Sequence, residues 1–90
     1  MVEIFNKSTY NRVYNKLSAE FIDVFCNCKI SGLTTDQSII QAKIKLKQSF
    51  IKEIAINTRS RRTILIAYDD TKNDAELIKR AIEFYHGFKK

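Results

Sequence analysis

Proline is absent from this chain, tryptophan is absent, and glycine occurs twice, at Gly32 and Gly87. A chain this poor in breakers holds no flexible linker and no low-complexity segment, so its elements are separated by changes of period rather than by turn residues. Two cysteines, Cys26 and Cys28, stand one residue apart. A disulfide between them closes a small strained ring, so two free thiols in a reducing compartment are expected. His86 is the one histidine, which leaves too few ligands for a tetrahedral zinc site. No apolar run approaches the ~20 residues that cross a bilayer. The opening Met1-Val2-Glu3-Ile4-Phe5-Asn6-Lys7 lacks the basic-then-apolar pattern of a secretory signal. The expectation is one domain over residues 1–90, cytoplasmic in its own cell or in a host, with no membrane partner.

The motifs of common chemistry are missing too. There is no Gly-rich phosphate loop, no His-x-x-x-His pair, no nucleophile elbow and no EF-hand loop. No cofactor, metal or catalytic residue is therefore expected. Asp69 and Asp70 with Asp74 read as a solvated turn and a helix cap rather than a cation site, and His86 as a surface or cap residue. An enzyme, such as a small basic ribonuclease built on Arg, Lys and Tyr, ranks behind any binding role.

What is present begins with a helical stripe. Tyr10, Val13, Tyr14, Leu17, Phe21, Val24 and Phe25 recur at i, i+3, i+4, i+7, while Arg12, Lys16, Glu20 and Asp23 fall off that face. The spacing predicts a helix over residues 8–24, with Asn6 or Ser8 as its cap. Val2, Ile4 and Phe5 suggest a short strand before it.

Residues 34–57 point two ways. Thr34 and Gln37 match a capping box, and the composition favours helix. Against that, Ile40-Gln41-Ala42-Lys43-Ile44-Lys45-Leu46-Lys47 alternates apolar and polar without a break, the period of a half-buried strand. On a helical wheel Lys43, Lys47 and Glu53 fall in the sector of Ile39, Ile40, Leu46, Phe50, Ile51 and Ile54, and burying charges without partners is costly. Strand is the reading adopted for residues 39–47. Residues 50–56 and 63–68 are β-branched and aromatic runs joined by Asn57-Thr58-Arg59-Ser60-Arg61-Arg62, read as a hairpin with an arginine-rich tip. Asp69, Asp70 and Thr71 form a turn, and Asn73 or Asp74 caps a last helix through Ala75, Leu77, Ile78, Ala81, Ile82, Phe84 and Tyr85.

The expected fold class is thus α+β: a helix, a three- or four-stranded antiparallel sheet and a second helix, with both helices on one sheet face. The alternative is a mostly helical chain with one β-hairpin.

The charge is uneven. Residues 36–62 carry seven basic groups against Asp36 and Glu53, while residues 63–90 balance at five of each sign. On a strand, Lys43, Lys45 and Lys47 project from one side at about 6.6 Å spacing, two strand rises, close to every second phosphate of a nucleic-acid strand. Arg59, Arg61 and Arg62 add guanidinium forks suited to phosphate. The first expectation is a small basic nucleic-acid-binding or regulatory module, RNA or DNA, gripping phosphates through Lys43, Lys45, Lys47, Lys52, Arg59, Arg61 and Arg62. The alternative is a protein-interaction module, an inhibitor or a dimeric adaptor, whose basic face meets an acidic partner. A lysine row also serves simply to solubilise a sheet face and guard its edge.

Helix, three strands, helix is also the order of double-stranded RNA-binding domains, and Thr71-Lys72-Asn73-Asp74-Ala75 is similar to their entry into the last helix. The Gly-Pro-x-His loop of that family is absent. Asp69, Asp70, Asp74 and Glu76 surround Lys72 where the family places a basic cluster. A winged helix needs more chain than lies between Thr34 and Arg62. Neither family is assigned.

Overall fold

Asn6 opens the first helix: its side chain accepts a hydrogen bond from the Thr9 backbone N–H at 3.0 Å, satisfying one of the donors a helix start leaves over. The computed structural model describes residues 5–89; the strand expected at Val2 and Ile4 lies outside them, and Phe5 belongs to no regular element. Helix α1 spans Lys7–Ile30, and the expected stripe is its buried face, with Val13, Leu17, Phe21 and Phe25 all inside. It ends where the sequence places Gly32. The Gly32 N–H reaches the Lys29 carbonyl at 3.1 Å and the Leu33 N–H reaches the Cys28 carbonyl at 3.0 Å, the paired bonds of a Schellman end. Gly32 takes φ +97°, a left-handed conformation that side chains resist. Gly32→Ala is therefore expected to lower stability by about 1–2 kcal/mol in urea unfolding, even though open space surrounds the position.

Helix α2 spans Thr35–Ile56 and overturns the expected strands. Its capping box is complete: the Thr34 hydroxyl accepts from the Gln37 N–H at 3.1 Å and the Gln37 side chain accepts from the Thr34 N–H at 3.0 Å. A single 3-10 turn, Thr58–Ser60, leads into α3 (Arg61–Lys72), and after Asn73 and Asp74 comes α4 (Ala75–Lys89). Asp74 caps α4, its carboxylate accepting from the Glu76 N–H at 3.0 Å, as expected for that position. Among the described residues there is no strand, so the α+β sheet and the arginine-tipped hairpin are both corrected. The segment expected to form the second hairpin strand and the following turn is α3.

The reason for the error lies in what α2 buries. Its fully buried positions are Ser38, Ala42, Leu46, Ser49 and Glu53, mostly small or polar, with Ile39 and Ile54 packed beside them only partly buried. Ile40, Ile44 and Ile51 stand outside at 56%, 46% and 56% exposure. The alternation of residues 40–47 thus divides between two helix faces. Glu53, judged too costly to bury, is indeed buried, at 4% exposure, but two cations from α1 meet it.

The helices form a bundle around α1. Contacts between Lys29 and Thr35, Glu20 and Ser49, and Arg12 and Glu53 show α2 running antiparallel to α1. Contacts of Asn6 with Thr63, Tyr14 with Asp74, and Cys26 with the Ala81 carbonyl show α3 and then α4 running back in the direction of α1. The third column is therefore one path in two pieces, broken at Asn73 and Asp74. α1 packs against all three other helices, and α2 also packs against α3.

Candidate functional site

Four lysines and three arginines carried the charge argument, and the helical fold distributes them differently. At ~100° per residue, Lys43 and Lys47 lie on one side of the line through Ile40, Ile44 and Ile51, and Lys45 and Lys52 lie on the other. The single row of lysines at phosphate spacing does not form, because it required a strand. None of the ion pairs within the described residues involves these four lysines. Arg59 sits in the 3-10 turn and Arg61 and Arg62 in the first turn of α3, all exposed at one end of the bundle. The structure thus brings Lys43 and Lys47 together, flanks them with Lys45 and Lys52 across the isoleucines, and leaves the arginines apart as a group at the α2–α3 junction.

Between α2 and α3 lies an open groove of about 360 Å³, lined by Ile40, Lys43, Ile44, Lys47, Gln48, Ile51 and Tyr68. Tyr68 is held from below by Phe50, their rings stacked at 4.4 Å and 12° between planes. The groove is an apolar floor with a basic rim. Sequence reasoning assigned its isoleucines to the core and so missed them. The available signal was the 4-3-4 spacing of Ile40, Ile44, Lys47 and Ile51, a second seam on the face of α2 opposite Ala42, Ser49 and Glu53.

The remaining polar clusters are structural. Glu53 receives Arg12 through two hydrogen bonds, 3.3 and 3.1 Å, and Lys16 at 2.8 Å. These bonds hold its carboxyl below the usual carboxylate range against the opposing effect of burial. Tyr10 donates to Asp70 at 2.5 Å, which pushes the phenol up to about 12, and Tyr14 donates to Asp74 at 2.5 Å, which raises Tyr14 and lowers Asp74. Phenols held protonated in this way are tethers between α1 and the α3–α4 break, not bases. Burial raises the Cys26 thiol, and both cysteines are free. His86 lies beside Tyr85 at the edge of a 170 Å³ cleft with Lys29 and Thr35. Among the described residues no group of three His, Cys, Asp or Glu side chains is placed to hold a metal ion, and no helix is long and apolar enough to cross a membrane.

Set against protein families, curated proteins and solved structures, the chain matches none of them.

Proposed function

We propose that this chain is a non-catalytic interaction module that receives an acidic protein partner on the outer face of α2. The observation that carries the reading is the exposure of Ile40, Ile44 and Ile51 together, along one helix face, inside a lysine rim. An exposed apolar stripe edged by polar groups, here interrupted by Lys47, is the surface signature of a protein contact. Contact with phosphates draws on charged and polar groups, so it leaves the three isoleucines at the centre of this face unexplained.

A photo-crosslinking residue in place of Gln48, which lines the groove, tests this in the full chain within its own cell. The expected product is a protein adduct that disappears in Ile44→Asp and persists in Arg59→Glu/Arg61→Glu. Ile44→Asp itself is expected to shift folding stability by less than about 1 kcal/mol, since the position is exposed. Two results would overturn the reading. One is an adduct indifferent to Ile44→Asp. The other is RNA or DNA held tighter than about 10⁻⁶ M at physiological salt, beyond ordinary non-specific binding, and lost in Lys43→Glu/Lys47→Glu.

A further inference from the structure

We infer that the occupant of the groove is a single acidic amphipathic helix laid along α2, a fourth column for the bundle supplied by another protein; this rests on the interaction-module reading above. The stripe from Ile40 to Ile51 covers eleven residue steps, about 16 Å at 1.5 Å per residue, three helical turns. Its members follow the 4-3-4 spacing by which one helix receives another. Tyr68 of α3 and the lysine stems close one side of the groove, so the incoming helix meets a trough rather than a ridge.

Charge selects the occupant. From residue 37 to residue 52 the chain has Lys43, Lys45, Lys47 and Lys52 and no acidic residue. The next acids outward are Asp36 and Glu53, and Glu53 is buried and already engaged by Arg12 and Lys16. A partner seated on the stripe therefore has to match the rim with its own acids. Lys47 is the sharpest case, because it occupies a position within the seam itself. A cation there rejects an apolar side chain opposite it and accepts a carboxylate, which fixes the register of the partner.

A second copy of the chain fits badly. A twofold contact through this stripe presses the same patch against itself, and that patch carries lysines with no acid to meet them. With antiparallel helices and the axis at mid-stripe, Lys47 and its mate sit about 4.5 Å apart along the axis, and with parallel helices they face directly. Juxtaposed like charges of that kind oppose association.

The probe is a labelled three-heptad peptide with Leu at its seam positions, one seam Glu set to meet Lys47, and Glu at the flanks, where mutual repulsion keeps it from pairing with itself. Fluorescence anisotropy with the full chain is expected to show saturable binding. A scrambled peptide of equal composition binds at least about tenfold more weakly, and so does the designed peptide to Ile44→Asp. Lys47→Glu is expected to weaken binding about tenfold and to recover it with a peptide carrying Lys in place of the seam Glu. Equal binding of designed and scrambled peptides overturns the inference, because charge alone then explains it. Sedimentation showing a dimer that Ile44→Asp dissolves also overturns it, in favour of a second copy. If the Gln48 adduct forms and depends on Ile44 while the peptide fails, only the helical occupant falls; if the adduct fails too, the interaction reading falls with it.

Discussion

Arg12→Met/Lys16→Met is expected to cost the fold about 3–5 kcal/mol at neutral pH, measured by urea unfolding, because it strands the Glu53 carboxylate in the interior. The two cations that meet Glu53 are each about half exposed, while the Glu53 side chain is 5% exposed. The arrangement is therefore asymmetric. Removing the acid, as in Glu53→Gln, returns Arg12 and Lys16 to water and costs less, about 1–2 kcal/mol for the lost charge-assisted hydrogen bonds. Removing both cations leaves a buried charge with no compensation. Adding Glu53→Met to the double variant is expected to recover most of the loss, since an apolar side chain of similar length satisfies the same site. In the natural chain Glu53 is held below its ordinary value, so its contribution is present above the unfolded carboxyl value of about 4.3 and is lost as pH falls through the folded one. In the double variant burial acts alone and raises the carboxyl. Stability then falls as pH rises from about 4.3 through that raised value, the opposite slope. A loss below about 1 kcal/mol, or an unchanged pH slope, would show that Glu53 reaches water.

Phe21→Ala is the second large effect, an expected loss of about 3–5 kcal/mol. Phe21 is 2% exposed and sits in the middle of α1, the one helix that packs against all the others. Truncating it opens a cavity whose walls belong to a helix held on several sides, so collapse into the void is restricted. For a chain of this size the melting temperature is expected to drop by about 12 °C or more by calorimetry. Phe21→Leu, which keeps most of the volume, is expected to lose much less. A charge placed at an exposed isoleucine is expected to leave folding nearly intact, whereas trimming a buried phenylalanine is not. A drop on Ile44→Asp comparable to that of Phe21→Ala would mean that the α2 face is core.

Much of α1 and α4 was legible in the residues. The stripe from Tyr10 to Phe25 has a single period and no competing one, and Asp74 marks the start of α4 as a capping residue should. α2 and α3 were not, for physical reasons that can be named. The Thr34–Gln37 capping box signalled helix correctly but was outweighed by eight alternating residues. That alternation carried weight only on the premise that every isoleucine seeks the interior, and Ile40, Ile44 and Ile51 do not. The helical wheel set a penalty on Glu53 that only tertiary partners remove, and Arg12 and Lys16 lie over thirty residues away in sequence. The run Thr63-Ile64-Leu65-Ile66, with three β-branched residues, favours strand locally, yet Thr63, Ile64 and Ala67 belong to the buried face of a helix. At the candidate site the lysines were legible as charge. Their isoleucine neighbours, which give the groove its character, were hidden by the expectation that they were core.

The break at Asn73 and Asp74 has a bearing on where motion is confined. α4 is joined to the bundle chiefly through α1, whereas α1, α2 and α3 are mutually packed. In free-energy terms the chain is one tightly coupled unit with a second, looser one appended, and sub-global opening follows such divisions. When α4 lifts away, the Phe50–Tyr68 stack and the Glu53 cluster, which lie within the coupled unit, keep their partners. The outer face of α2, proposed above as a docking surface, is built on the coupled unit, so opening of α4 is expected to leave its shape unchanged.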